Sequence, residues 1–106
     1  MTNRKRGKNT EKAITKMINS VGMEARRVGI FGGEDIETDK YSVEVKGRKS
    51  FIGERFMLQA EKNTKGDKIP LVIVHLTGKK HTEDLVLIRF CDFVECQKKY
   101  LTNDKK

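Results

Sequence analysis

A short stretch near the middle of the chain, in which apolar and polar side chains alternate, constrains the fold most. Residues 41 to 46, Tyr-Ser-Val-Glu-Val-Lys, repeat with the period of two that is typical of a half-buried β-strand. The pattern predicts that Glu44 and Lys46 share the polar face. The opposite face, turned to the core, consists of Tyr41, Val43 and Val45.

A tight hairpin would bring an acidic residue of the preceding strand to the same place. If Asp39 and Lys40 form a two-residue turn, Asp35 lies directly opposite Glu44, with Cβ atoms about 5 Å apart. Opposed carboxylates repel each other, and a divalent cation between them offsets that repulsion. Asp-Lys is not a preferred turn pair, however, and a shift of one residue would move Asp35 to the other face. The residues alone are also compatible with a solvated polar face that carries a surface salt bridge to Lys46.

Length and charge limit the class of protein. With 106 residues, the chain is expected to form one domain, residues 9–102, between a basic N-terminal arm, residues 1–8, and a frayed tail, residues 103–106. The net charge of +8 predicts a polyanionic partner, although solubility alone is the simpler explanation. Aromatic residues make up only 7% of the chain and Trp is absent, so contact with a duplex backbone is favoured over stacking on single strands.

Hydrophobic periodicity predicts an α/β fold. Helices are expected from Asn9 or Thr10 to Val21, with Gly22 as the C-cap, over residues 51–64 and over residues 92–101. Residues 69–76 read as a central strand because they are almost entirely apolar. The order of elements predicts a mixed central sheet of about five strands flanked by helices. The other strands are expected at residues 23–30, at the segment with Asp35 that follows a bend at Gly32-Gly33, at residues 41–46, and at residues 84–90.

Several classes of function lack support in the sequence. No apolar run is long enough to span a bilayer, no apolar signal-peptide core follows the basic N-terminus, and no phosphate-binding glycine motif indicates a nucleotide cofactor. A soluble intracellular protein with free thiols at Cys91 and Cys96 is therefore expected. His75, His81 and the two cysteines have spacings that zinc ligands can adopt, but a C-x4-C on a helix converges poorly, and the pattern places His75 in a strand interior and His81 in a loop. The sequence thus disfavours a zinc site.

An ordered set of motifs gives the chain its resemblance to a known family. The set begins with Arg-Gly-Lys-Asn-Thr-Glu11 and continues with Gly-Gly-Glu-Asp35-Ile and Val-Glu44-Val-Lys46, followed by Gln59-Ala60 and an apolar strand after Pro70. In this order the motifs resemble the PD-(D/E)xK nuclease superfamily, and most closely its archaeal-type and phage-type Holliday junction resolvases. Two departures are Glu34 in place of the family's proline and the short nine-residue step from Asp35 to Glu44.

The resemblance implies a restriction-endonuclease-like core and a set of site residues. Glu11, Asp35 and Glu44 would bind a catalytic Mg2+, for which Mn2+ could substitute, with help from the backbone carbonyl of Val45. Lys46 would orient or activate the attacking water, and Gln59 would support the site. Glu11 also shares a helical stripe with two isoleucines, Ile14 and Ile18, which points it inward. A plain first-turn carboxylate, stabilised by the helix dipole, is the alternative for Glu11.

Resolvase activity would make the protein an enzyme of DNA recombination and repair that cuts branched double-stranded DNA, in the cytoplasm of a cell or of a phage host. Two opposing strands must be cut, so a homodimer is implied. Phosphates would be bound by Arg4, Arg6, Lys8, Arg26, Arg27, Arg48 and Lys49. The alternatives are another nuclease of the superfamily, which nicks or cuts flaps, and a basic nucleic-acid-binding protein without enzymatic activity.

Overall fold

The computed structural model describes residues 3–28 and 35–104, and the side chains of residues 5–28 and 35–102. The fold is of mixed α/β class, as predicted, and contains three α-helices and two small antiparallel sheets within the described residues. The elements in chain order are α1 (Asn3–Ser20), β1 (Ala25–Arg27), β2 (Ile36–Thr38), β3 (Ser42–Val43), α2 (Gly53–Asn63), β4 (Val72–Val74), a short 3-10 helix (His81–Glu83), β5 (Leu85–Leu87) and α3 (Phe90–Asp104).

Contacts along the chain group into two compact units. The first unit comprises residues 1–47 and 94–106, and the second comprises residues 48–93. The helix and three strands that carry most of the predicted nuclease residues therefore lie within the first unit. The predicted single domain, with an arm at residues 1–8 and a tail at residues 103–106, stays a prediction.

Helix α1 begins earlier than its sequence suggested. It starts at Asn3, six residues before the predicted N-cap Asn9, and Thr10 donates its hydroxyl to the carbonyl of Arg6 inside the helix, at 3.0 Å. The basic residues of this segment are good helix formers, so the helix extends through them. Its end agrees with the prediction. Gly22 has φ of +91°, a conformation that favours glycine, and its amide donates to the carbonyl of Asn19 at 3.1 Å.

The core of the first unit forms where α1 packs on the sheet. Ile18 and Ala25 are buried, and Ile36 is completely buried. Asn19 fixes the helix to the first strand because its side-chain oxygen accepts a hydrogen bond from the Ala25 amide at 2.7 Å. Its side-chain nitrogen donates to the Ala25 carbonyl at 3.3 Å. Val94 of α3 is also buried in this unit.

The first sheet has the strand order β1-β2-β3, and both pairings are antiparallel. In its register Ala25 pairs with Thr38, and Ile36 pairs with Val43. All three strands are shorter than predicted. The predicted bend at Gly32-Gly33 and the end of the predicted strand 23–30 lie outside the described residues.

The second unit contains α2 and the β4–β5 hairpin. Met57 of α2 is buried. Arg89 donates to both Glu54 and Glu61 of α2 at 3.1 to 3.2 Å. The hydrogen bonds from Arg89 lower the pKa of Glu61, and those same bonds, first to Glu61 and then to Glu54, raise the pKa of Arg89. One guanidinium thus ties the segment after β5 to both ends of α2.

The predicted five-stranded mixed sheet is wrong. Among the described strands, β4 pairs with β5 in a separate two-stranded sheet, and every pairing is antiparallel. The apolar run at residues 69–76 suggested a strand covered on both faces, but Leu71 is 50% exposed and Ile73 is 63% exposed. An apolar run indicates that a strand packs against a nonpolar surface. It does not indicate which strands are its neighbours in the sheet.

Two further features concern cysteines and membranes. Cys91 and Cys96 are free cysteines at exposed positions of α3. Within the described part of the chain, no helix has both the length and the apolar content that crossing a bilayer requires.

Candidate functional site

The hairpin of β2 and β3 has the two-residue turn that the sequence predicted. The Thr38 amide donates to the Tyr41 carbonyl at 2.9 Å, so Asp39 and Lys40 form the connection. The Thr38 hydroxyl accepts hydrogen bonds from the Lys40 amide at 3.1 Å and from the Tyr41 amide at 2.8 Å. A side-chain oxygen thus holds a turn whose own residues are not the preferred ones. The predicted register is confirmed as far as the pair Ile36–Val43.

Asp35 lies just beyond the regular pairing and is bonded on either side of Glu44. Its amide donates to the Val43 carbonyl at 3.0 Å, and its carboxylate accepts from the Val45 amide at 2.7 Å. Asp35 and Ile36 therefore share Val43 as a partner, as in a β-bulge, which re-aims a side chain. Asp35 and Glu44 are thus neighbours across the hairpin without forming the regular opposed pair that was predicted.

Glu44 and Lys46 share one face of the chain, as predicted. The Lys46 Nζ atom lies 3.1 Å from the Glu44 Oε1 atom, and the two side chains are 64% and 54% exposed. The residues of the other face, Tyr41, Val43 and Val45, are all half-buried, which confirms the predicted alternation. The Lys46 ammonium therefore lies beside the Glu44 carboxylate on the solvent side.

Glu11 reaches the same sheet from α1. Its carboxylate lies 3.7 Å from the Arg27 Nε atom, and its side chain is only 22% exposed. Arg27 pairs with Ile36, the residue next to Asp35, and the Val28 amide donates to the Asp35 carbonyl at 3.0 Å. The inward orientation predicted for Glu11 is confirmed, with an arginine as its partner.

The three carboxylates are not gathered into one ligand set. In the described residues, the group whose ligand atoms all lie within 4.8 Å of one another is His75, His81 and Asp84. Each of the predicted ligands has a positive or hydrogen-bonding partner instead, which for Glu11 is Arg27 and for Glu44 is Lys46. Carboxylates without a cation between them repel, so separate partners are the lower-energy arrangement.

Gln59 and the predicted phosphate-binding residues are distributed over both units. Gln59 is exposed on α2 in the second unit, beside a groove of about 430 Å3 between α2 and β4. Arg26 forms an ion pair with Glu37 at 2.8 Å, so it and Arg27 are both engaged by carboxylates. The other predicted cations are Arg6 and Lys8, exposed on α1, Arg48 and Lys49, exposed before α2, and Arg4, which lies in α1 with its side chain outside the described part.

Sequence reasoning missed the clustering of His75 with His81 and Asp84. His75 is not in the interior of β4 but follows it, and His81 opens the 3-10 helix. The signal in the sequence was Asp84, which lies three residues after His81 and directly before the returning strand β5. Cys91 and Cys96, which the zinc hypothesis had included, are not in this group.

No protein-family model matches the chain, and no curated protein and no solved structure is similar enough to count as a match.

Proposed function

We propose that this chain is a Mg2+-dependent endonuclease that cuts branched DNA, with the four-way junction as its substrate. The observation that carries the proposal is the attachment of Asp35 to the backbone on both sides of Glu44, with Lys46 in contact with Glu44. Glu11 lies in the same unit. The helix and the three antiparallel strands that carry or flank these residues belong to one compact unit.

The chemistry of the donors fits the proposed ion. Asp35, Glu44 and Glu11 offer carboxylate oxygens and Val45 offers a backbone carbonyl, and Mg2+ prefers such hard oxygen ligands. Because Mg2+ retains several waters and commonly uses one or two carboxylates, a preassembled cage is not required. When bound, the ion supplies a water of lowered pKa and positive charge for the phosphoryl oxygens.

The side chains have separate roles in this proposal. The Val45 amide fixes the orientation of the Asp35 carboxylate. The carboxylate therefore loses less conformational freedom when it binds a metal ion. The Lys46 ammonium stabilises negative charge that develops on the phosphate, or positions the attacking water. The supporting role proposed for Gln59 rests on the resemblance alone.

The proposal requires two copies of the chain because a junction is resolved by two cuts. A surface for the second copy is suggested by Ile73 and Val86, which pair across β4 and β5 and are 63% and 56% exposed. Exposed apolar patches of this kind mark contact surfaces more often than single exposed residues do. Basic residues on both units would bind phosphates and read the shape of the junction.

A second candidate function is binding of nucleic acid without catalysis. The observation that favours it is that Glu11 and Glu44 already have cationic partners, and that no common ligand set forms with Asp35. In that case the carboxylates are surface charges that hold arginine and lysine side chains in place. Added Mg2+ or Mn2+ would then produce no cleavage of any nucleic acid.

Cleavage by three variants tests the proposal. Asp35→Asn, Glu44→Gln and Lys46→Ala are each expected to lower the rate of junction cutting by about 100-fold or more, since each removes a charge needed in the transition state. Binding of the junction is expected to persist in the two carboxylate variants, because they lose negative charge beside the phosphates. The measurement uses labelled four-way junction, linear duplex and single strand, with and without Mg2+.

Glu24→Gln is the matched control, because it neutralises an exposed carboxylate of the same unit outside the proposed site. It should cut at the unaltered rate. Full activity in any of the three site variants contradicts the proposal. Single cuts in duplexes or flaps, in place of paired cuts in junctions, would retain a nuclease and reject the resolvase.

A further inference from the structure

We propose that His75, His81 and Asp84 form a binding site for a transition-metal dication of the Zn2+ class, distinct from the proposed Mg2+ site. The site lies wholly within the second unit, at the end of the β4–β5 hairpin. It does not depend on the nuclease proposal, whose residues Glu11, Asp35 and Glu44 belong to the first unit.

Backbone structure brings the three residues together. The strands pair in the register Val74–Leu85, and His75 and Asp84 are the next residues on each side. His81 is three residues before Asp84, and the Asp84 amide donates to the His81 carbonyl at 3.0 Å, which closes the 3-10 turn. The hairpin and the turn thus position one ligand each around the same carboxylate.

The side chains converge on Asp84. The His75 Nδ1 atom lies 2.7 Å from Asp84 Oδ1, and the His81 Nδ1 atom lies 3.1 Å from Asp84 Oδ2. The two imidazole rings have centroids 4.3 Å apart. The carboxylate is only 13% exposed, whereas the rings are 40% and 84% exposed, so an ion can approach from the side of His81.

The donor set selects the class of ion. Two imidazole nitrogens and one carboxylate oxygen suit Zn2+, Co2+ and similar ions, whereas Mg2+ and Ca2+ prefer oxygen alone. A tetrahedral zinc with bonds of about 2.0 to 2.1 Å sets its ligand atoms about 3.3 Å apart. The two nitrogen–oxygen separations of 2.7 and 3.1 Å would open by about 0.6 and 0.2 Å to reach this spacing, and all three ligand atoms already lie within 4.8 Å of one another. Three protein ligands leave one coordination position for water or for a ligand from solution.

The competing explanation needs no metal. Each neutral imidazole can donate its Nδ1–H to Asp84, and the three residues then form a hydrogen-bonded latch on the hairpin. The two explanations differ in what they predict for added ions. A latch gains nothing from Zn2+, while a metal site binds one ion per chain and stabilises the folded state.

Titration of the tag-free protein with Zn2+ and with Co2+ tests the proposal. We expect one ion per chain by calorimetry, a rise in melting temperature, and a visible Co2+ spectrum without the intense thiolate band of cysteine ligation. His81→Ala is the decisive variant, because this exposed side chain can be removed with little risk to the fold. It should weaken binding by at least about 100-fold, since loss of even an outer-shell partner costs about 10- to 100-fold.

Asp84→Asn should weaken binding similarly while leaving an oxygen that can accept from one imidazole. The double variant Cys91→Ala with Cys96→Ala is the control, and it should bind Zn2+ like the unaltered chain. Equal affinity in the unaltered chain and His81→Ala would overturn the proposal, as would binding that disappears in the cysteine double variant. Neither result bears on Mg2+-dependent cleavage, so failure of this site and failure of the nuclease proposal are distinguishable.

Discussion

At the scale of single residues, the Thr38 hydroxyl holds the turn between β2 and β3. Alternation in residues 41–46 gave the correct faces, and the register follows from the two-residue turn. The sequence did not explain why Asp39-Lys40 is tolerated in that turn. The Thr38 hydroxyl provides the reason, because it accepts the amides of Lys40 and Tyr41. These hydrogen bonds depend on the rotamer of Thr38, which the pattern of residue types does not predict.

Thr38→Val removes these hydrogen bonds while keeping the shape and the β-branch of the side chain. We expect it to lower the free energy of unfolding by about 1 kcal/mol, because the two amides lose their acceptor at a partly exposed position. Thr38→Ser retains the hydroxyl and should be closer to the unaltered chain. Urea denaturation of the three proteins measures the difference. Equal midpoints for Thr38→Val and the unaltered chain would show that the hydroxyl does not hold the turn.

The ion pair between Glu11 and Arg27 could not be predicted for a related reason. The helical stripe placed Glu11 correctly toward the sheet, but its contact with Arg27 depends on how α1 packs on β1. Asp35 was predicted opposite Glu44, whereas its amide donates to the Val43 carbonyl, which makes the pairing bulge-like. Local spacing gives the face of an element, whereas these partners are set by tertiary contacts.

At the scale of elements, helix termini and strand partners were the least predictable features. The ends of α1 illustrate both outcomes, because Gly22 marked its C-terminus while the basic residues before Asn9 gave no stop signal. The strand at residues 72–74 was expected in the centre of a large sheet and pairs with β5 alone among the described strands. Its apolar residues predicted a strand but did not predict whether a second strand pairs with it.

Gly7→Ala tests whether α1 extends through the basic segment. Gly7 is exposed in the helix, and an added Cβ atom would meet nothing within 4 Å. If the segment is helical in solution, alanine should raise the free energy of unfolding by about 0.5 to 1 kcal/mol and increase the helical signal in circular dichroism. The matched substitution is Gly47→Ala, at a position that lies outside any helix and where an added Cβ atom would also meet nothing within 4 Å; it controls for glycine's unfolded-state entropy. No gain at Gly7 beyond that control would favour a non-helical arm.

At the scale of the whole molecule, the charge is the property that the sequence specified most securely. The net charge of +8 is a matter of composition, and exposed basic residues occur in both units. Several arginines are nevertheless engaged by carboxylates, including Arg26, Arg27 and Arg89. Composition therefore overstates how many cations are available to the proposed polyanionic partner.

Salt dependence separates the cations that contact phosphate from those that do not. Lys8 in the first unit and Lys49 in the second are exposed. If each contacts a phosphate, Lys8→Ala and Lys49→Ala should each reduce the slope of log K against log salt by about 1. Fluorescence anisotropy with labelled junction DNA, at several salt concentrations, gives the slope. Glu24→Gln should leave it unaltered, and an unaltered slope in a lysine variant removes that residue from the interface.

Because the connection at Asp39-Lys40 is only two residues long, the number of residues there matters as much as their identity. Inserting or deleting one amino acid there would exchange the two sides of the following strand, because side chains alternate. Tyr41, Val43 and Val45 would then meet water while Glu44 turned inward. Such an insertion or deletion would expose apolar side chains, which lowers solubility, and it would also disrupt the arrangement of the carboxylates. Variants that remain well folded are therefore expected to preserve the nine-residue spacing from Asp35 to Glu44.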